Sequence, residues 1–112
     1  MSYGVGSPPG VPEADVDELE EAIAAGKHVI DVRERDEWED GHLASAVLIP
    51  MAEVVGRANE ARKAGPVYVV CATGMRSGRA AQWYRSQGID ARNLAGGMKA
   101  WVAQGKPVVF GP

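Results

Sequence analysis

Strands and helices alternate along these 112 residues, which predicts a single α/β domain. The expected architecture is a mostly parallel central sheet of about five short strands with helices on both faces. Three observations carry this reading. Val67 to Val70 (VYVV) form a continuous apolar, β-branched and aromatic run, suited to a strand buried on both faces. From Ser77 the period changes, and Ala80, Ala81, Trp83 and Tyr84 recur at helical spacing until Gly88. The composition, 46% hydrophobic and 24% charged, supports a core without disulfide or metal staples.

The elements follow in order. Residues 1–10 hold three glycines and two prolines without apolar periodicity and predict a flexible tail, with the folded domain at 11–106. A short edge strand fits 11–14. Asp15 opens a helix with Val16, Leu19 and Ile23 on one face and Gly26 as its stop. Val29, Ile30 and Val32 form the next strand, which delivers Asp31 and Arg33 to its carboxyl end, where open α/β sheets bind ligands. The acidic run 34–40 reads as a solvated short helix anchored by Trp38. Gly41 and His42 turn the chain into a strand at 46–49, closed by Pro50. Residues 51–64 predict a helix with Val54, Val55 and Ala58 inward. Pro66 precedes the central strand. Residues 91–94 give the last strand, Gly96 and Gly97 a tight turn, and 98–104 a final helix holding Trp101 on the sheet. Residues 107–112 read as a C-terminal tail.

Charge and cysteine usage narrow the function classes. A net charge of −3 argues against nucleic acid or an anionic membrane surface as partner. One cysteine excludes an intramolecular disulfide. The first ten residues lack the basic and apolar regions of a signal peptide, so a cytoplasmic protein is expected. His42 has no accompanying Cys, His or carboxylate set at ligand spacing, and no metal or other cofactor is expected. His28 has no partner in view and receives no role.

The chemistry concentrates between the central strand and the helix after it. Cys71, Ala72, Thr73, Gly74 and Met75, then Arg76 and Ser77, form a strand–loop–helix junction whose unpaired backbone N–H groups face one concavity. Gly74 permits close backbone approach. Arg76 adds a cation that can fork onto an oxyanion, and Ser77 adds a hydroxyl. The plain alternative for Cys71 is a small packing residue at a strand end. For Arg76 it is an ion pair with an acidic residue such as Asp31 or Glu34.

The stretch CATGMRSGRAAQWYRSQG resembles the active-site loop and following helix of the rhodanese-like sulfurtransferases. DVRERDEWEDGHLASAVLIP and NLAGGMKAW resemble that family's upstream D-x-R…G-H segment and its C-terminal G-G-x-x-x-W. The match runs from about Val11 to Gly105. Ala44-Ser45-Ala46 departs from the Pro-Gly pair usual there, a turn detail. The resemblance implies a single rhodanese-like domain with His42 in a structural turn. It also implies Cys71 as catalytic nucleophile and persulfide carrier, with Ala72, Thr73, Gly74, Met75, Arg76 and Ser77 as the substrate-binding loop. The implied partners are a small sulfur donor such as thiosulfate, a cyanide or thiol acceptor, or a persulfide-carrying protein. A free thiol with pKa about 8.5 is mostly protonated at neutral pH, so the loop must favour the thiolate. Two other readings stay open: a non-catalytic rhodanese module that binds a protein, and a cysteine phosphatase or arsenate reductase. The related phosphatases carry C-x5-R, whereas four residues separate Cys71 from Arg76 here.

Overall fold

The computed structural model describes residues 7–112, so residues 1–6 of the expected tail lie outside the described residues. Five strands, β1 (Glu13–Ala14), β2 (His28–Asp31), β3 (Val47–Leu48), β4 (Val67–Val70) and β5 (Ala91–Leu94), form one sheet in the order β1-β5-β4-β2-β3. Every pairing is parallel. Four α-helices accompany them: α1 (Val16–Ala24), α2 (Arg35–Glu39), α3 (Met75–Ser86) and α4 (Gly97–Ala103). The expected fold class, strand count and parallel sheet all hold.

β4 lies at the centre of the sheet and is buried along its whole length. Its alternating side chains feed two cores. Val67 and Val69 join Ile30, Val32, Ala80, Ala81 and Tyr84 beneath α3. Tyr68 and Val70 join Val16, Leu19, Val29, Leu94 and Trp101 beneath α1 and α4. This alternation is the period-2 geometry of a strand covered on both faces. Each fully buried side chain of this size contributes about 1.5–3 kcal/mol of transfer free energy.

Strand order sets the crevice. From β2 the chain steps outward to β3, returns to β4 beside β2, then steps the other way to β5. The reversal between β2 and β4 opens a gap at their carboxyl ends, beside Arg33 and Cys71.

Local signals explain most boundaries. Asp15 caps α1 by accepting from the Glu18 N–H at 2.8 Å, while the Glu18 carboxylate accepts from the Asp15 N–H at 2.9 Å. α2 is the expected short acidic helix with Trp38 buried. His42 is buried against it, its ring stacked on Trp38 at 3.6 Å between centroids and its Nδ1 2.8 Å from the Trp38 carbonyl. Its backbone exchanges two hydrogen bonds of 2.9 Å with Val109. That bridge, the Trp101 indole N–H donating to the Pro107 carbonyl, and the Gly111 N–H donating to the Glu39 carbonyl fix residues 107–111 to the domain.

The helix expected over 51–64 is a correction. The chain there makes two short 3-10 turns, Met51–Glu53 and Ala58–Ala61, with most hydrogen bonds running from residue i to i−3. Val54 is buried as expected, but Val55 is 66% exposed and Ala61 turns inward. Gly56 in the middle and the adjacent β-branched Val54 and Val55 disfavour a continuous α-helix, and Val54, Ala61 and the partly buried Met51 suffice to anchor the segment.

One buried ion pair braces the crevice. Asp31 is fully buried and accepts from the Arg33 Nε, a terminal guanidinium nitrogen and the Arg33 backbone N–H. The same terminal nitrogen donates to the Gly41 carbonyl at 2.8 Å, pinning the turn before His42. Asp31→Asn would leave a buried guanidinium without its counter-ion, so a loss of about 3–5 kcal/mol is expected. Urea unfolding checks this, with a lower midpoint at unchanged slope as the expected outcome.

Candidate active site

Cys71 is the first residue beyond β4 and is 1% exposed. With the ladder ended, its carbonyl needs a new donor, and α4 supplies it. The Met98 N–H donates to the Cys71 carbonyl at 2.8 Å and the Lys99 N–H to the Ala72 carbonyl at 3.0 Å. These are first-turn amides that have no partner inside their own helix. So close an approach requires glycine at the first position of α4. A Cβ on Gly97 would lie 2.5 Å from the Ala72 carbonyl oxygen and 2.6 Å from that of Cys71, and its φ is +61°.

The loop then folds back over the sulfur. The Gly74 N–H donates to Cys71 Sγ at 3.1 Å and the Ser77 hydroxyl lies 3.2 Å from it. Gly74, at φ +101°, makes the sharp entry into α3. Burial pushes the Cys71 thiol up, but the Ser77 hydroxyl and the backbone N–H groups of Ser77, Gly74 and Thr73 outweigh it. The thiol is held below its ordinary value. The positive end of the 12-residue α3 acts in the same direction.

Of the residues singled out from the sequence, Cys71, Thr73, Gly74 and Ser77 meet at the sulfur. Ala72 instead gives its carbonyl to α4, and Met75 stands 43% exposed. Arg76 forks onto Glu37, with both terminal nitrogens 2.8 Å from the two carboxylate oxygens. Both side chains are about one-third exposed. The Arg76 guanidinium brings the Glu37 carboxyl down to about 2. Asp31, one of the partners offered by the sequence, is occupied by Arg33. The charge of Arg76 also reaches Cys71.

Sequence reasoning missed Glu37, Gly97 and Asn93. Fully buried on β5, Asn93 lies 2.5 Å by its Oδ1 from the Ser77 hydroxyl, and its Nδ2 donates to the Gly74 carbonyl at 3.0 Å. A lone amide at a position whose i−2 and i+2 neighbours, Ala91 and Ala95, are both alanine was the available signal. Beside the loop opens a groove of about 420 Å³, bordered by Arg33, Glu37, Ala72, Lys99, Val102 and Phe110. A second, more apolar hollow of about 330 Å³ under Leu43, Trp101 and Val108 shares no wall with the Cys71 loop. Among the described residues no group of three or more His, Cys, Asp or Glu could hold a metal ion. Nor is any described helix long and apolar enough to cross a membrane.

Residues 15–104 match the sequence model of the Rhodanese-like domain. The chain belongs to the rhodanese-like domain family. Its similarity to the uncharacterized protein YqhL of Bacillus subtilis is 45% identity over 86 residues, covering 73% of this chain and 68% of YqhL. It is 36% identical over 76 residues to the thiosulfate sulfurtransferase GlpE of Coxiella burnetii, covering 67% of this chain and 71% of GlpE. A rhodanese-related protein from Thermoplasma volcanium superposes with a TM-score of 0.83 at 30% identity, over 89% of this chain and 99% of that one.

In this rhodanese-like domain, Gly97→Ala is expected to displace the Cys71 loop, because two carbonyls stand where the methyl would go. Thermal melting should show a loss of at least ~1–3 kcal/mol, the scale of a strained backbone position. Alkylation of Cys71 should slow in parallel.

Proposed function

We propose that this domain is a sulfurtransferase that carries sulfane sulfur as a persulfide on Cys71. The observation that supports the reading best is the surroundings of the sulfur: a buried cysteine that faces the Gly74 N–H and the Ser77 hydroxyl and is held below the ordinary thiol range. A site that only packed a cysteine would not turn donors onto it. The similarity to a protein named thiosulfate sulfurtransferase supports thiosulfate as one donor.

In the proposed cycle the Cys71 thiolate attacks the outer sulfur of thiosulfate. The new S–S bond forms as the sulfur–sulfur bond of thiosulfate breaks, and sulfite leaves with the bonding pair. The negative charge passes to the outer sulfur of the persulfide. Cyanide or a thiolate then attacks that sulfur and restores the Cys71 thiolate. Loop amides from Ala72 to Ser77 would stabilise the anionic sulfur by fixed dipoles, with little reorganisation during reaction. No general base is needed, because the nucleophile is already disposed to ionise. The span of four residues between Cys71 and Arg76 favours a single sulfur over a tetrahedral phosphoryl group in the cradle. The groove beside the loop would admit a thiol acceptor or a persulfide-carrying protein. A nucleophilic thiol must stay reduced, which fits a cytoplasmic setting.

Cys71→Ser is expected to remove sulfur transfer with the fold intact, since no other thiol exists in the chain. Incubation with thiosulfate followed by mass measurement should show one added sulfur atom on the wild type and none on the variant. Thiosulfate:cyanide turnover in Cys71→Ser above background would sink the covalent route.

Arg76 is proposed to present a fixed charge to the donor's sulfonate while Glu37 holds its fork in place. Arg76→Lys keeps the charge and loses the paired geometry. Lysine cannot be held by the two-point Glu37 contact, so the charge facing the donor loses its fixed position. If that costs the donor one charge-assisted contact of about 1.5–3 kcal/mol, kcat/KM for thiosulfate should fall roughly 10- to 150-fold. A fall below about threefold with normal circular dichroism would restrict Arg76 to bracing α2 against α3.

A further inference from the structure

The hydrogen atoms around Cys71 do not suffice for every contact to be made at once. Ser77 has one hydroxyl proton and two neighbours that can take it, Cys71 Sγ at 3.2 Å and Asn93 Oδ1 at 2.5 Å. The Asn93 amide is not free to turn over. Its Nδ2 faces the Gly74 carbonyl at 3.0 Å, the Ser7 hydroxyl at 2.8 Å and the Glu13 carboxylate at 3.3 Å. Turned over, Oδ1 would face the carbonyl and the carboxylate, both acceptors. Asn93 Oδ1 therefore points permanently at Ser77 and can only accept. Asn93 and Ser77 are both fully buried, so water does not substitute for the contested proton.

Two arrangements satisfy different states of the sulfur. With Cys71 as a thiol, S–H donates to the Ser77 oxygen and Ser77 O–H donates to Asn93. With Cys71 as a thiolate, Ser77 O–H must swing to Sγ, and two oxygen acceptors are left facing each other at 2.5 Å. Once Sγ is the inner, uncharged sulfur of a persulfide, the hydroxyl returns to Asn93.

We propose that Asn93 is a positioning residue that competes with Cys71 Sγ for the Ser77 proton, opposing the free thiolate and favouring the sulfur-loaded state. This assignment rests on the sulfur-transfer reading for the loaded state alone; the competition concerns the free thiol. The charged groups on the elements packed against the loop are Arg76 from α3, which couples to Cys71, the Asp31–Arg33 pair from β2, Glu37 of α2 held on Arg76, Lys99 of α4, and Glu13 of β1 behind Asn93. None of these changes in the cycle below, so their fields cancel.

The experiment follows the rate of Cys71 alkylation by iodoacetamide against pH in the full chain, for wild type, Asn93→Leu, Ser77→Ala and the double variant. Asn93→Leu should raise the thiol ionisation constant about 2- to 12-fold, the scale of one released hydrogen bond. Ser77→Ala should lower it. Adding Asn93→Leu to Ser77→Ala should change nothing further. Asn93 overturned as competitor would show as a lowered ionisation constant in Asn93→Leu, or as an equal shift with and without Ser77, either of which describes a residue that merely holds the Gly74 loop. If Asn93→Leu does not fold, Asn93→Ala carries the test with the same sign. The ionisation constant should rise with Ser77 present and stay unchanged with Ser77→Ala, and equal shifts in both backgrounds would reject the proposal. Wild type that never gains sulfur from thiosulfate would defeat the sulfur-transfer reading and leave this result standing.

Discussion

The site depends on what happens to two carbonyl groups where β4 runs out of partners. The oxygens of Cys71 and Ala72 lie beyond the ladder, Cys71 itself being buried, and an unpaired buried carbonyl costs about 1–3 kcal/mol. The first amides of α4 meet both. That contact fixes the backbone from which the loop departs, so the Gly74 N–H and the Ser77 hydroxyl arrive at the sulfur as a consequence of where α4 starts. It also explains why glycine stands at Gly97, since any Cβ there would overlap the two oxygens being bound. Cys71 and the start of α4 are separated in sequence and form one rigid unit.

Charge is distributed around this unit in pairs. Arg33 is held by Asp31 and Arg76 by Glu37, so neither of these cations beside the crevice is unmatched at rest. The thiolate is then favoured mainly by neutral donors, the amides and the hydroxyl, rather than by a bare cation. Such donors are short in range and little screened by salt, whereas a free surface charge would be weakened at physiological ionic strength. The sulfur's environment is set by geometry more than by net charge.

The fold was legible in the sequence because its signals are periodic. VYVV, the helical spacing after Ser77 and the stops at Gly26 and Gly88 are local, and five parallel strands followed from them. The segment 51–64 misled because its few apolar residues fit a helix, while the chain is anchored by the buried Val54 and Ala61 with Met51 packed beside them. At the site, Cys71, Gly74 and Ser77 were readable since they lie in one stretch. Glu37 and Asn93 were not. Glu37 meets Arg76 across 39 positions and Asn93 meets Ser77 across 16, and no local pattern encodes such meetings. Gly97 was read as a turn residue, and its close approach to Ala72 became visible only in three dimensions.

The sheet order has a consequence for how the molecule comes into being on a ribosome. Glu13 pairs with Asn93 and Ala14 with Leu94, so the edge strand made first docks only on the strand made last. Ser7 and Glu13 complete the surroundings of Asn93 at the same moment. A nascent chain that has emerged only as far as β4 holds the Cys71 thiol without α3 or α4 around it and with β1 still unpaired. During that interval Cys71 lacks the Ser77 hydroxyl that α3 brings to its sulfur and the Asn93 amide that β5 and β1 hold beside it.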